Sequence, residues 1–383
     1  MLNNTEIMNK EKTTDKPIRI AQIIGKILAA GIDSVVFNYY RAIDKSQIQF
    51  DFYYDADSTV DPPQELIDMG AKFYKLPPYQ HLWEYLPTLY KMLRENKYII
   101  VHSHLNTLSV FPLAVAAFTR VPVRIAHNHS VPSGKEWKRD GLKKLLRFFS
   151  KCFSTDYFAC SEKAGRWLFS DSTYKAGAVK IVENAIEFER FKFNESERKE
   201  RKKKLGLDEA FVVGHVGRFT FAKNHKFILQ IFKNIISIKS NAILLLIGDG
   251  ELREEIETEI ERMSLQESVI MTGKTQYPEI YYSVMDVIVL PSVFEGLSLA
   301  TIEAQVSGVP IIISEAVPKE INISNGYKYL SLTDTAAKWA DAAIEMSYQT
   351  VELSSNSDNY NIKYAAPKLA NWYMLTQKKY ERS

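Results

Sequence analysis

Cysteine is nearly missing from this sequence. Two thiols, Cys152 and Cys160, in 383 residues cannot build a disulfide scaffold, and no cysteine-based metal site can be assembled from a pair. Charge of one sign is missing as well. The 49 Lys and Arg against 46 Asp and Glu leave a net +3, too little to argue for a nucleic-acid partner. Long apolar runs are absent: the longest, VFPLAVAAF at 110–118, falls far short of a membrane span. Residues 1–17, MLNNTEIMNKEKTTDKP, are polar and mixed in charge. They lack the apolar segment of a secretory leader and read as a disordered tail. A cytoplasmic location is expected. No G-x-G-x-x-G follows the first candidate strand, which argues against a dinucleotide oxidoreductase.

What is present is an ordinary globular composition, 46% hydrophobic and 25% charged, in a chain long enough for two domains. Short β-rich runs alternate with helical patterns. Candidate strands are 18–24, 50–54, 72–76, 99–102, 123–127, 156–160 and 180–182. A second series follows at 211–216, 242–247, 268–271, 287–290 and 310–314. Helical patterns at 33–41, 81–95, 224–238 and 251–263 fill gaps between them. Such alternation means right-handed βαβ units and parallel sheets. The expected fold is therefore α/β, with two Rossmann-like, doubly wound sheets facing across a cleft. The break should fall near VENAIEFERFKF, 182–193. The expected division is 18–185, 186–355 and a final helix within 356–383 that packs back on the first domain. Ligands of such sheets sit at the carboxyl ends of the strands.

One late stretch carries chemistry. In SVFEGLSLATIEAQVSGVP, 292–310, a helix begins near Ser298 and stops at Gly308. Its start offers unpaired N–H groups and the positive dipole end, which suit a phosphate. Glu303 lies about 7.5 Å further along the axis, at about 1.5 Å per residue. That is the reach from a diphosphate to its ribose, where a carboxylate can accept both hydroxyls. Glu295, on the preceding loop, could face the sugar beyond the diphosphate. The plainer alternative is that Glu303 caps neighbouring backbone or pairs with a lysine.

EGLSLATIE resembles the E-x7-E motif of retaining, family-four glycosyltransferases of the GT-B fold (the glycosyl transferases group 1). GHVGRFTFAKNH (214–225), LLLIGDGELREEI (244–256) and NAIEFERF (184–191, with Ala185 in a glycine's place) are similar to other segments of that family. So are VHSHLN and RIAHNHS, its two histidine-bearing strand ends. The bacterial capsule and exopolysaccharide members look nearest, through NYYR, IEAQ.SG.P and PKEI.I. The resemblance spans the chain from Ile18 onward.

The resemblance implies a transferase that moves a hexosyl-type sugar from a nucleoside-diphosphate sugar, expected to be a UDP-sugar, to a glycan or lipid-linked acceptor with retention. Arg218 and Lys223 would grip the leaving diphosphate, where fixed cations stabilise growing negative charge and take a metal ion's place. No cofactor is expected. Gly217, Gly248 and Gly250 would let loops approach the donor. Gly296, Leu297, Ser298 and Leu299 would bring the helix start to it, with Glu303 on ribose and Glu295 near the sugar. Gly31, after Ala30, allows close backbone approach in the first strand–helix loop. One histidine of the first domain should contact sugar or acceptor. His127 is preferred over His129; His104 is a weaker candidate, and His102 reads as structural. Together they could also read as a metal site. Acceptor choice is expected to lie in loops such as 131–141.

Two further segments compete for attention. Asp55-Ala56-Asp57 is a D-x-D after a strand, the pattern by which GT-A enzymes hold a divalent ion; the two-sheet organisation favours a solvated loop. KEWKRDGLKKLLRFFSKCF, 135–153, places Leu142, Leu145, Leu146, Phe149 and Phe153 on one helical face and Lys144, Arg147 and Lys151 opposite. It fits a core helix, or peripheral contact with an anionic membrane at the inner face of the plasma membrane. RKERKKK, 198–204, reads as a solvated helix. The rival functions are a GT-B nucleotide-sugar epimerase or hydrolase, and a non-catalytic sugar-nucleotide-binding protein.

Overall fold

The computed structural model describes residues 16–28, 31–131 and 137–381. Most of the expected tail 1–17, Ala30, and the centre of the 131–141 loop lie outside the described residues. The first sheet contains β1 (Ile18–Gly25), β2 (Ile48–Asp55), β3 (Lys72–Leu76), β4 (Ile100–Ser103), β5 (Val123–Asn128), β6 (Asp156–Ala159) and β7 (Val179–Ile181). Their spatial order is β3-β2-β1-β4-β5-β6-β7. The second contains β8 (Phe211–Val216), β9 (Ala242–Ile247), β10 (Val269–Gly273), β11 (Val287–Leu290), β12 (Ile311–Ser314) and β13 (Tyr327–Leu330). Its order is β10-β9-β8-β11-β12-β13. Every pairing is parallel. The strand order reverses between β1 and β4 in one sheet and between β8 and β11 in the other. Each sheet therefore has a switch point at the carboxyl ends of its central strands.

Burial on both faces explains the apolar strands. In β2, IQFDFYYD, all eight residues are buried. Alternate residues feed two cores. Ile20, Phe50, Phe52, Ile100, Val123 and Ile125 pack under the helices Ile32–Ala42 and Ile362–Glu381. Ala21, Ile23, Tyr53, Val101 and Ala126 face the helices Leu82–Asn96 and Val110–Phe118. The final helix thus completes the first domain's core. It returns beside the interdomain segment, where Ile186 N donates to Tyr360 O and Ile362 N to Ile186 O, both at 2.9 Å.

Three expectations change. The strand β13 was not anticipated: it is an edge with one fully buried residue. The basic run is more than a solvated face. In the helix Glu195–Lys204, Arg198 (2.6 Å) and Lys202 (3.2 Å) converge on Asp286, at the start of β11. The basic stretch at 135–153 forms a helix over Trp137–Phe148, but its apolar residues divide. Leu146 is buried and Phe153 half-buried, whereas Leu142, Leu145 and Phe149 face outward with Phe148, which is 81% exposed.

Candidate active site

The loops after β8, β9 and β11 build the second domain's side of the cleft. The first two press against each other. A Cβ on Gly248 would lie 2.0 Å from the carbonyl oxygen of Gly217, and φ at Gly248 is +138°. A Cβ on Gly250 would lie 2.4 Å from the oxygen of Phe219. At Gly217 a Cβ would meet Lys223 Cε at 2.8 Å. Gly248 and Gly250 are thus required by loop-on-loop packing, whereas at Gly217 the flexible Lys223 stem can give way. Their effect is to fix where residues 217–223 stand.

Lys223 and Glu295, distant in sequence, are brought together as an ion pair with both side chains largely buried. Ser292 Oγ donates to the same Glu295 oxygen at 2.8 Å, so Glu295 is held from two sides. Motifs singled out each of the two residues without revealing that they pair. Arg218 is separate: its side chain is 57% exposed and its Nη2 lies 3.3 Å from Glu251.

Four residues beyond Glu295, the helix Leu299–Val306 begins, with Ser298 as its N-cap residue. The Ser298 side chain makes no capping bond, which leaves the first-turn N–H groups for other partners. Gly296 and Leu297 touch the first domain. A Cβ on Gly296 would be 3.3 Å from the carbonyl oxygen of His129, and Leu297 O accepts from Asn184 Nδ2 at 3.1 Å. Glu303, partly covered, accepts from the Tyr282 hydroxyl at 2.9 Å. Burial raises its pKa to about 7, against the lowering effects of Tyr282 and of Arg190. Its partner is thus a tyrosine, neither a backbone cap nor a lysine.

The first domain contributes the ends of β4 and β5. His102, His104, His127 and His129 project to one face, as residues two apart in a strand must. All are nearly fully buried. His127 lies back along β5, bonded to His102 at 3.0 Å, and lines a small cavity of about 10 Å³ with Tyr373 and Gln22. His129 stands at the domain junction. Of the two, His129 is the one whose main chain lies beside the Gly296 loop. His104 bonds His129 at 2.9 Å and Gln22 at 2.8 Å. Among the described residues, His102, His104 and His127 are the group whose ligand nitrogens could share an ion, all lying within 4.8 Å. The nitrogens of His102 and His104 are already engaged in hydrogen bonds. Burial lowers the pKa of all four, to about 4 for His129. They are neutral at pH 7. Tyr373 and Gln22 carried no signal in the sequence.

Gly31 precedes the helix Ile32–Ala42 with φ at +84°, and a Cβ there would meet nothing within 4 Å. Its surroundings are open, as close approach by a ligand requires. Asp55 and Asp57 have different surroundings. Asp57 bonds Lys26. Asp55 is buried, and desolvation, with Asp57 nearby, raises its pKa to about 7.

Two facing Rossmann-like sheets with a cationic loop, a helix start and a paired carboxylate at their junction define a GT-B glycosyltransferase. The profile described as glycosyl transferases group 1 matches residues 196–364, and that of glycosyltransferase family 4 matches 29–190. EpsF of Bacillus subtilis, named as a glycosyltransferase, is 30% identical over 84% of this chain and 86% of its own. The chain belongs to this family. A second relative is the UDP-Gal:alpha-D-GlcNAc-diphosphoundecaprenol alpha-1,3-galactosyltransferase of Escherichia coli, 27% identical over 79% of this chain and 81% of its own. In fold, the chain is similar to Anabaena HepE, solved in complex with UDP and glucose. The TM-score is 0.72 at 14% identity, over 95% of this chain and 99% of that one. It is also similar to the lipopolysaccharide glycosyltransferase WaaG, with TM-score 0.68 at 13% identity, over 93% of this chain and 95% of that one. Among the described residues no helix is long and apolar enough to cross a membrane.

Proposed function

We propose that this glycosyltransferase takes a hexosyl-type sugar from a UDP-sugar and transfers it, with retention, to a glycan or lipid-linked acceptor in capsule or exopolysaccharide synthesis. The observation that carries the reading is the Lys223–Glu295 pair, set just ahead of an uncapped helix start and four residues from the Leu299–Val306 helix that bears Glu303. A diphosphate entering there meets Lys223 and the first-turn N–H groups. Lys223 then exchanges Glu295 for phosphate, and Glu295 is released toward the sugar hydroxyls. Glu303 accepts from the ribose. Arg218, exposed at the rim, swings from Glu251 to the leaving group. Fixed cations stabilise charge as the glycosidic bond breaks, so no metal is required for the step. A leaving phosphate oxygen takes the acceptor's proton on the same face, and no protein base is assigned. The UDP in the HepE structure and the UDP-Gal and diphosphoundecaprenol in the name of the E. coli relative support the choice of donor and acceptor class.

The outward Leu142, Leu145, Phe148 and Phe149, with Lys144 and Lys151 exposed nearby, support peripheral contact with an anionic bilayer on the cytoplasmic side. The test of function is nucleotide release from a panel of UDP-, GDP- and ADP-sugars, with and without EDTA, beside Glu303→Ala. Slow release from a UDP-sugar, insensitive to EDTA and lost in the variant, is expected. A product in which the sugar is altered but not transferred would favour the epimerase; EDTA-sensitive release would sink metal independence.

A further inference from the structure

A line of polar side chains runs from the small cavity at His127 to the loop that carries Leu297. His127 Nδ1 lies 3.0 Å from His102 Nε2. His102 Nδ1 is 2.6 Å from Tyr373 Oη. Tyr373 Oη is 3.3 Å from one end of the Gln22 amide, whose other end is 2.8 Å from His104 Nε2. His104 Nδ1 is 2.9 Å from His129 Nε2. His129 faces Asn184, and Asn184 Nδ2 donates to Leu297 O at 3.1 Å. The joint between His129 Nδ1 and Asn184 Oδ1 is the one place where no bond is closed. Both atoms are buried there, at the junction of the two domains.

The four imidazoles are neutral, so each has one donor and one acceptor. The direction of the line is then fixed at its far end. A main-chain carbonyl can only accept, so Asn184 turns its NH2 to Leu297 and its oxygen to His129. An N–H must face that oxygen, which puts the His129 proton on Nδ1. Its Nε2 accepts from Nδ1–H of His104. Nε2 of His104 in turn accepts from the Gln22 NH2. The Gln22 oxygen takes the Tyr373 hydroxyl, whose oxygen accepts from Nδ1–H of His102. His102 Nε2 accepts from Nδ1–H of His127. In the structure Gln22 Nε2 faces Tyr373 and Oε1 faces His104. The satisfied line exchanges the two, which occupy the same places. What remains unpaired is one lone pair, on His127 Nε2 in the cavity. The reverse direction would bury an unpaired N–H on His127 and set two bare acceptors against each other at His129 and Asn184. An orphaned N–H is the rarer and costlier defect.

We propose that His102, His104, His127 and His129 are all Nδ1–H tautomers, and that this line, anchored on Tyr373 of the C-terminal helix, positions Asn184 to hold the Leu297 carbonyl and with it the donor loop. Gln22 and Tyr373 are positioning residues 351 apart in sequence. Neither touches the donor.

The tautomers are read from 15N spectra of the full-length protein labelled in histidine, where protonated and bare ring nitrogens separate. His215 is the internal standard, because its Nδ1 must donate to Val289 O, 2.9 Å away. Protonated Nδ1 on all four histidines is expected; protonated Nε2 on His104 and His129 would overturn the proposal. This arm does not depend on the reaction. The second arm rests on the transferase reading. In Gln22→Glu, of nearly the same shape, a carboxylate cannot donate to His104, so the His104 proton moves from Nδ1 to Nε2 and His129 Nε2 loses its donor. Donor KM is then expected to rise about three- to tenfold, the worth of one hydrogen bond, with kcat changed less than about twofold on the same scale. A folded variant with unaltered donor KM would refute the positioning role. If Gln22→Glu does not fold, Tyr373→Phe, which keeps the ring, is measured in its place, with the same expected rise in donor KM and the same refuting result.

Discussion

Replacing Glu303 by glutamine should stabilise the protein at high pH and weaken donor binding where the carboxylate is ionised. The Glu303 carboxyl is raised from 4.5 to about 7, first by burial. The shift of about 2.5 units corresponds to about 3 kcal/mol at 1.36 kcal/mol per unit, and partial solvent access reduces this to about 1–2 kcal/mol. The sign follows from proton binding. Below pH 4.5 the carboxyl is protonated in both states, and the folded protein has its full stability. As pH rises from 4.5 to 7 the unfolded chain ionises first, and stability is lost. Glutamine cannot ionise, yet its carbonyl oxygen can still accept from the Tyr282 hydroxyl. The stability of Glu303→Gln relative to the parent should therefore climb by about 1–2 kcal/mol between pH 4.5 and pH 8. Denaturant titrations of both proteins at four pH values measure this. A pH-independent difference would mean that Glu303 keeps an ordinary carboxylate pKa when folded, and the burial argument would fail. Above pH 7 the same variant should raise donor KM about tenfold or more, because two charge-assisted bonds to ribose become neutral ones, and the difference should shrink as pH falls below 7.

Glu295→Gln frees Lys223 from its ion pair, so UDP should bind several-fold more tightly while transfer falls by at least about tenfold; calorimetry and product formation separate the two. Gly248→Ala should cost about 2–4 kcal/mol, because its Cβ meets the Gly217 carbonyl as well as an unfavourable φ. Gly31→Ala, with φ strain but nothing within 4 Å, should cost only about 1–2 kcal/mol, as read by thermal unfolding. Leu145→Glu with Phe148→Glu should abolish sedimentation with vesicles containing anionic lipid and leave release of nucleotide from free donor unchanged; retained sedimentation would remove this helix from the membrane reading.

The strands could be read because burial on both faces leaves continuous apolar runs; β3, β8, β9 and β11 are found where their patterns stand in the chain. The strand β13 escaped because YKYL is an edge and carries no such run. The same limit explains the site. Glu303 was conspicuous because a lone carboxylate in an apolar helix demands a partner, but nothing local says that the partner is Tyr282. Lys223 and Glu295 each lay in a recognisable motif, and their pairing is a product of the β8 and β11 loops meeting. The histidines were visible as two H-x-H repeats, and period two already put each pair on one face. Their order of depth depended on Tyr373, which in sequence is one aromatic among several in an amphipathic helix. A buried imidazole's role is set by what each of its two nitrogens meets. Those partners come from β1, from the last helix and from the segment joining the domains. Motifs in this chain therefore locate the chemistry, while its direction, donor or acceptor at each atom, is decided by contacts between segments hundreds of residues apart.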